Sequence, residues 1–231
     1  MYSFKENKSA ILIFANSSLE ELRHKAIANG GGIFDALTSQ TIATAVKTGL
    51  PYFLISEKEQ FGNTFGERFT NAIASVFDKG YEKVITIGND SPQLKASHIL
   101  EARGQLESKK FVLGPSTDGG FYLMGIHKSQ FNSADFRKLS WQTSALSKQL
   151  LHLVAATSVT VFRLPALFDI DTVDDIKSLV AYVYRLPEKL LLLLLKLLPS
   201  EEKIRSQETL LIPRLHKNNF QNKGSPLVLP L

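Results

Sequence analysis

Val84-Ile85-Thr86-Ile87-Gly88-Asn89-Asp90-Ser91-Pro92 is a short apolar strand that runs straight into a carboxylate and stops. In a sheet of parallel strands such a position opens onto the crevice at the carboxyl ends, where ligands bind. An acid there is placed to hold a divalent cation against phosphate oxygens, because Mg²⁺ takes oxygen ligands and shares them with substrate phosphates. Asp is also a good cap for a following helix. The spacing leaves both readings of Asp90 open, and two acidic motifs downstream favour a site.

Working outward, short apolar runs alternate with helical stripes. Ala10-Ile11-Leu12-Ile13-Phe14 reads as a buried strand, and Phe34, Leu37, Thr41, Ile42, Ala45 and Val46 then recur at helical spacing up to Gly49-Leu50-Pro51. Tyr52-Phe53-Leu54-Ile55 is a second strand, and Phe65, Phe69, Ala72, Ile73, Val76 and Phe77 form a strong stripe closed by Lys79-Gly80. A third helix follows through Ile99, Leu100 and Leu106. Three strand-helix units in a row argue for an α/β fold, a three-layer sandwich around a mixed, mostly parallel central sheet. After residue 110 two strands flank a Gly-rich turn and give the sheet an antiparallel part. A helix over 143–154, a strand over 159–164 and a helix over 173–184 complete the pattern, with strands expected near 10–15, 52–56, 83–88, 111–113, 120–126 and 159–164.

With 231 residues, 44% hydrophobic and 21% charged, the composition is that of a folded domain with a sizeable core. No cysteine is present, which excludes a disulfide framework, a thiolate nucleophile and Cys-ligated zinc and suits a reducing cytoplasm. The first eight residues are polar and lack the apolar stretch of a secretory signal. A formal charge of +5 favours anionic ligands. Its dispersal, without a basic-aromatic block, argues for a nucleotide or another small molecule and against nucleic acid. The five histidines are scattered without metal-ligand spacing. We divide the chain into a catalytic domain over 1–185 and a C-terminal apolar helix with a loosely ordered tail over 186–231. The Leu190–Leu198 run is apolar on every face but far short of the ~20 residues that span a bilayer. It reads as a helix packed on the domain or on a partner copy in a homodimer, with peripheral membrane contact the remaining reading.

Gly114-Pro115-Ser116-Thr117-Asp118-Gly119-Gly120-Phe121-Tyr122-Leu123 carries an Asp-Gly hairpin turn. Its glycines, lacking Cβ, also let a sugar or phosphate approach the backbone closely. Leu167-Phe168-Asp169-Ile170-Asp171-Thr172-Val173-Asp174-Asp175 starts a helix, and its alternating acids could supply a second ligand to a cation held by Asp90.

These motifs, with Phe65-Gly66-Glu67-Arg68 and Trp141-Gln142-Thr143, occur in an order that resembles a poorly characterised bacterial family of glycosyltransferase-A-like proteins. That family is distantly similar to molybdenum cofactor guanylyltransferase and 2-phospho-L-lactate guanylyltransferase. The resemblance covers roughly residues 10 to 180 and implies a nucleotide-diphospho-sugar transferase fold. It implies Mg²⁺ or Mn²⁺ held by Asp90 and Asp171, with Asp118 and Asp171 catalytic. On this reading Asn16, Arg23, Lys25, Arg68 and Asn89 are expected around the nucleotide, and Gly119, Gly120, Trp141 and Thr143 on the acceptor side. One stretch departs from the family: the basic loop after the first strand is replaced by Ala15-Asn16-Ser17-Ser18-Leu19-Glu20-Glu21-Leu22-Arg23-His24-Lys25 and Gly30-Gly31-Gly32. Arg23 and Lys25 are left there to bind phosphate. From the residues alone Arg68 suits an internal salt bridge or a ligand, and Trp141 a core position or stacking on a sugar or base. The leading expectation is a metal-dependent glycosyltransferase using a nucleotide-activated donor. The alternatives are a nucleotidyltransferase that joins a nucleoside monophosphate to a phosphorylated acceptor, and a non-catalytic nucleotide- or sugar-binding module.

Overall fold

The computed structural model describes residues 8–25, 27, 30–180 and 188–198. The N-terminal segment, residues 181–184 of the helix expected over 173–184, and the polar tail beyond residue 198, with Pro213, Pro226 and Pro230, lie outside the described residues. Six strands form one sheet: β1 (Ser9–Phe14), β2 (Tyr52–Ile55), β3 (Lys83–Ile87), β4 (Phe111–Pro115), β5 (Phe121–His127) and β6 (Val161–Arg163). The helices are α1 (Ser18–His24), α2 (Gly31–Val46), α3 (Phe65–Asp78), α4 (Ala96–Glu107), α5 (Ser133–Arg137), α6 (Leu146–Ala155), α7 (Val173–Val180) and α8 (Glu188–Leu197). A 3₁₀ turn covers Lys128–Gln130.

The spatial order of the strands is β2-β1-β3-β5-β4-β6. β1 pairs in parallel with β2 and β3, and β4 with β6, while β5 runs antiparallel to its neighbours β3 and β4. The mixed, mostly parallel sheet expected from the sequence is therefore present. Its topology has one consequence for function. The carboxyl ends of β1, β3, β4 and β6 all reach the same edge, so the segments that follow them meet there.

Alternation along the strands separates two layers of core. Ile11, Ile13, Ile85 and Ile87 face α4 residues Ile99, Ala102 and Leu106 and the α2 residue Ala45. Ala10, Leu12, Val84 and Leu113 face the opposite way, onto Phe69, Ala72, Ile73 and Val76 of α3 and Leu150 and Val154 of α6. α3 starts at a reciprocal capping box: Thr64 Oγ1 accepts from the Glu67 N–H at 3.1 Å, and the Glu67 carboxylate accepts from the Thr64 N–H at 3.4 Å.

A third cluster joins Leu190, Leu191, Leu194, Leu195 and Leu198 to Ile33, Phe34 and Leu37 of α2 and Ile176 and Leu179 of α7. The apolar α8 thus packs on the domain, the first of the readings offered for this segment. Among the described residues, no helix is long and apolar enough to cross a membrane.

Candidate active site

The edge where these strands end opens into a cleft of about 1080 Å³. Asn16 and Glu21 approach it from the loop and helix after β1, Asp90 from the end of β3, Ser116, Asp118 and Gly120 from the β4–β5 hairpin, and Asp169 and Asp171 from the segment after β6. Asp90, Asp118 and Asp171, far apart in sequence, line this one cleft as the sequence reading requires. The segments are tied through their backbones. The Ile170 N–H donates to the Asp90 carbonyl at 3.0 Å, and the Thr117 N–H donates to the Leu167 carbonyl at 3.1 Å.

Lys25 lies at the centre of the acidic side. Its Nζ is 3.0 Å from Asp171 Oδ1, 3.2 Å from Glu21 Oε2 and 3.5 Å from Asp90 Oδ2, and it donates to the Ile170 carbonyl at 2.9 Å. Only 12% of this side chain is exposed. Burial works against the ammonium, but the charges of Asp90, Glu21 and Asp171 outweigh it and hold Lys25 above the ordinary lysine range.

Asp169 is the residue that sequence reasoning missed. Burial drives its carboxyl up, the neighbouring charges of Asp90 and Asp118 push the same way, and hydrogen bonds with Ser91 and Ser116 oppose them, leaving it at about 8. The Ser91 hydroxyl donates directly to Asp169 Oδ1. Asp118 is organised differently, on the exposed tip of the hairpin. Its Oδ1 accepts from the Ser116 hydroxyl at 2.5 Å and from the Gly120 N–H at 2.9 Å. Gly119 holds a φ of +96°, and a Cβ there would lie 2.4 Å from the Ser144 carbonyl oxygen, so the turn needs glycine.

The facing wall is aromatic. Trp141 packs against Phe69 at 5.0 Å and Phe65 at 5.5 Å between ring centroids, with Phe14 and Phe121 alongside. All five line the cleft. Trp141 is positioned by a 2.7 Å bond from Nε1 to the Phe136 carbonyl and by the absence of a side chain at Gly66, where a Cβ would come within 2.4 Å of its ring. Gly66→Ala is expected to destabilise the fold by roughly 1–2 kcal/mol through overpacking. It should also shift the emission of the single tryptophan; unchanged melting and unchanged fluorescence would contradict this placement.

The remaining expectations divide. Asp90 is not a helix cap, because α4 starts only at Ala96 with Lys95 as its N-cap, after the turn that Pro92 imposes. Lys25, Asn16, Arg68, Asn89, Gly120 and Trp141 line the cleft. Asn16 donates to Glu21 Oε1 at 3.0 Å, which orders the loop after β1. Asn89 lies at the cleft, but its buried amide is committed to Thr38 Oγ1 on α2 at 2.8 Å. Arg68 makes no salt bridge among the described residues. Its Nε donates to Gln60 Oε1 at 3.1 Å. Arg23 is 67% exposed and does not itself line the cleft, but it pairs at 2.7 Å with Glu20, which does. Thr143 also stays outside, its exposed hydroxyl donating to the Ser140 carbonyl. In the departing loop after β1, the Glu57 carboxylate accepts from both the N–H and the hydroxyl of Ser17. The Ser17 backbone N–H bond is the first cause holding Glu57 below the usual carboxylate range.

The expected divalent cation can be tested against this geometry. Among the described residues no three His, Cys, Asp or Glu side chains form a ready metal cage. Mg²⁺, however, is usually held by one or two carboxylates together with substrate phosphates. Asp90 and Asp171 already converge on one common cation, the Lys25 ammonium, so this donor pair fits such an ion.

Residues 36–143 match the model of a family described as an uncharacterized protein conserved in bacteria (DUF2064). This match bears out the resemblance read from the motifs, and it ends before Asp169 and Asp171. No curated protein matches the sequence. A Desulfovibrio desulfuricans G20 crystal structure, provisionally named a nucleotide-diphospho-sugar transferase, is similar with a TM-score of 0.68 and 22% identity. The likeness covers 75% of this chain and 86% of that one. The 4-diphosphocytidyl-2C-methyl-D-erythritol synthase of Anaerococcus prevotii DSM 20548 is similar with a TM-score of 0.51 and 12% identity, over 76% of this chain and 98% of the other. At these identities the likeness shows the fold alone, a mixed α/β sheet architecture shared with these two proteins.

Proposed function

We propose that the protein is a transferase acting on a nucleotide-activated donor, and specifically a glycosyltransferase. The observation that carries this reading is the meeting of Asp90, Asp118, Asp169 and Asp171 in one cleft whose facing wall is aromatic. The acids suit a charged, metal-bridged diphosphate, and the aromatic faces suit the apolar face of a sugar ring. The fold shared with the Desulfovibrio protein supports the same donor class.

In this reading Asp90 and Asp171 hold the divalent cation, Mg²⁺ or Mn²⁺, which when bound neutralises charge on the departing diphosphate. Lys25 and Arg68, both lining the cleft, bind anionic oxygens of donor or acceptor. Asp169 is the proton acceptor. Burial raises this carboxyl toward neutrality in the cation-free protein, and as the carboxylate it takes the proton of the acceptor hydroxyl as that oxygen attacks the sugar carbon. Asp118 lies beside it on the β4–β5 hairpin, and Trp141 backs the sugar.

Likeness to the Anaerococcus synthase favours a second reading, nucleotidyl transfer to a phosphorylated acceptor. A thermal-shift panel of nucleotides and nucleotide-sugars, with and without Mg²⁺ or Mn²⁺, identifies a donor. Product analysis with that donor then separates the two: release of a nucleotide supports glycosyl transfer, and release of inorganic pyrophosphate supports nucleotidyl transfer. Silence across the whole panel would sink both enzymatic readings and leave a binding module.

A further inference from the structure

Lys25 and the expected divalent cation make claims on the same oxygens. Asp90 Oδ2 and Asp171 Oδ1 point at Nζ from 3.5 and 3.0 Å. A Mg²⁺ ion needs its oxygens at about 2.0–2.1 Å and near-octahedral, so it cannot share that point with an ammonium. We propose that Lys25 is a displaceable resident counter-ion. It holds Asp90 and Asp171 together in the empty enzyme, excludes a divalent cation from them, and leaves them for the phosphates of an arriving donor. The cation then enters only with the nucleotide. The donor half of this idea rests on the function proposed above; the exclusion half does not.

Three features of the chain make the exchange feasible. The backbone at Lys25 is fixed as the C-cap of α1, its N–H donating to the Glu21 carbonyl at 2.9 Å, so only the side chain has to move. Lysine is a point charge on a flexible four-carbon stem, equally suited to a carboxylate or a phosphate oxygen, whereas arginine's fork demands one fixed geometry. Glu21 supplies a third carboxylate at 3.2 Å, which biases Nζ toward this place when no phosphate is present. Without Lys25 the Glu21, Asp90 and Asp171 carboxylates, each within 3.5 Å of Nζ, would lose the cation they share.

The test is a Mn²⁺ titration followed by electron paramagnetic resonance on the full-length protein, without any nucleotide. The parent is expected to bind Mn²⁺ no more tightly than an exposed carboxylate does. Lys25→Met is expected to bind one Mn²⁺ at least tenfold more tightly, and Lys25→Met combined with Asp90→Asn should lose that gain. Lys25→Gln, closer in polarity, serves as a second variant, and circular dichroism reports whether each is folded. Folded Lys25→Met and Lys25→Gln with Mn²⁺ affinity within about twofold of the parent would overturn the proposal. So would stoichiometric, submillimolar Mn²⁺ binding by the unmodified protein, a measurement that needs no variant. Because no donor takes part, a failed donor panel and a failed exclusion remain separate outcomes.

Discussion

Asp90→Asn is expected to lower transfer from a nucleotide-activated donor by roughly 10²–10³-fold, the size of loss that follows removal of one electrostatic contact to the charge that develops in a transition state. The change keeps the shape of the side chain and removes its charge. Its structural cost is small for three reasons. The bond that joins this segment to the last acidic motif runs from the Ile170 N–H to the backbone carbonyl of Asp90 and does not involve the side chain. The carboxylate is about one-third exposed, and Lys25 retains Glu21 and Asp171 as partners. The Asp90 contact, at 3.5 Å, is also the longest of the three that Lys25 makes to carboxylates. Steady-state kinetics and a melting curve of the same preparation check both halves. Parental activity in the variant would remove Asp90 from the chemistry, and a large drop in melting temperature would mean that its role is structural.

Asp90 was legible because a strand that ends in an acid carries its own meaning: strand direction and the parallel topology determine where the side chain goes. The same holds for the sheet, whose six strands follow apolar runs and turn residues that act locally. Gly119 was legible as part of a turn for the same local reason. Asp169 was not. It stands two positions before Asp171 in a motif where either acid could serve, and only the fold buries it against Ser91, 78 residues away. Lys25 was read as a phosphate ligand, but its three carboxylate partners come from positions 21, 90 and 171, and only tertiary contact brings the last two to it. Arg23 differs in having a local partner: helical geometry places it three residues from Glu20, which lines the cleft, and that pairing engages its guanidinium. Asn89, next to the metal-binding candidate, is claimed by Thr38 from α2. Tertiary partners decided what the motif could not.

Asp169→Asn is expected to stabilise the protein in metal-free buffer on the alkaline side and leave it unchanged on the acid side. The sign follows from linkage between protonation and folding. An unfolded aspartate titrates near 3.8, whereas burial and the charges of Asp90 and Asp118 hold the folded carboxyl at about 8. Between those values the folded state binds a proton that the unfolded state has released. Stability of the parent therefore falls as pH rises through that window, and it flattens above the folded value. Asparagine carries no such proton, so the difference between variant and parent is nil below about pH 4, grows from there to about pH 8 and then levels off. Asparagine can still accept from the Ser91 hydroxyl, so the variant is expected to be the more stable protein across the alkaline plateau. The same substitution removes the proton acceptor proposed for transfer and should lower turnover by roughly 10²-fold or more. Denaturant titrations of both proteins at about pH 4, 6 and 9, spanning the window between the two states' pKa values, check the stability. A constant offset across the three conditions would mean that Asp169 is ionised throughout, and it could then no longer be regarded as the poised base of the site.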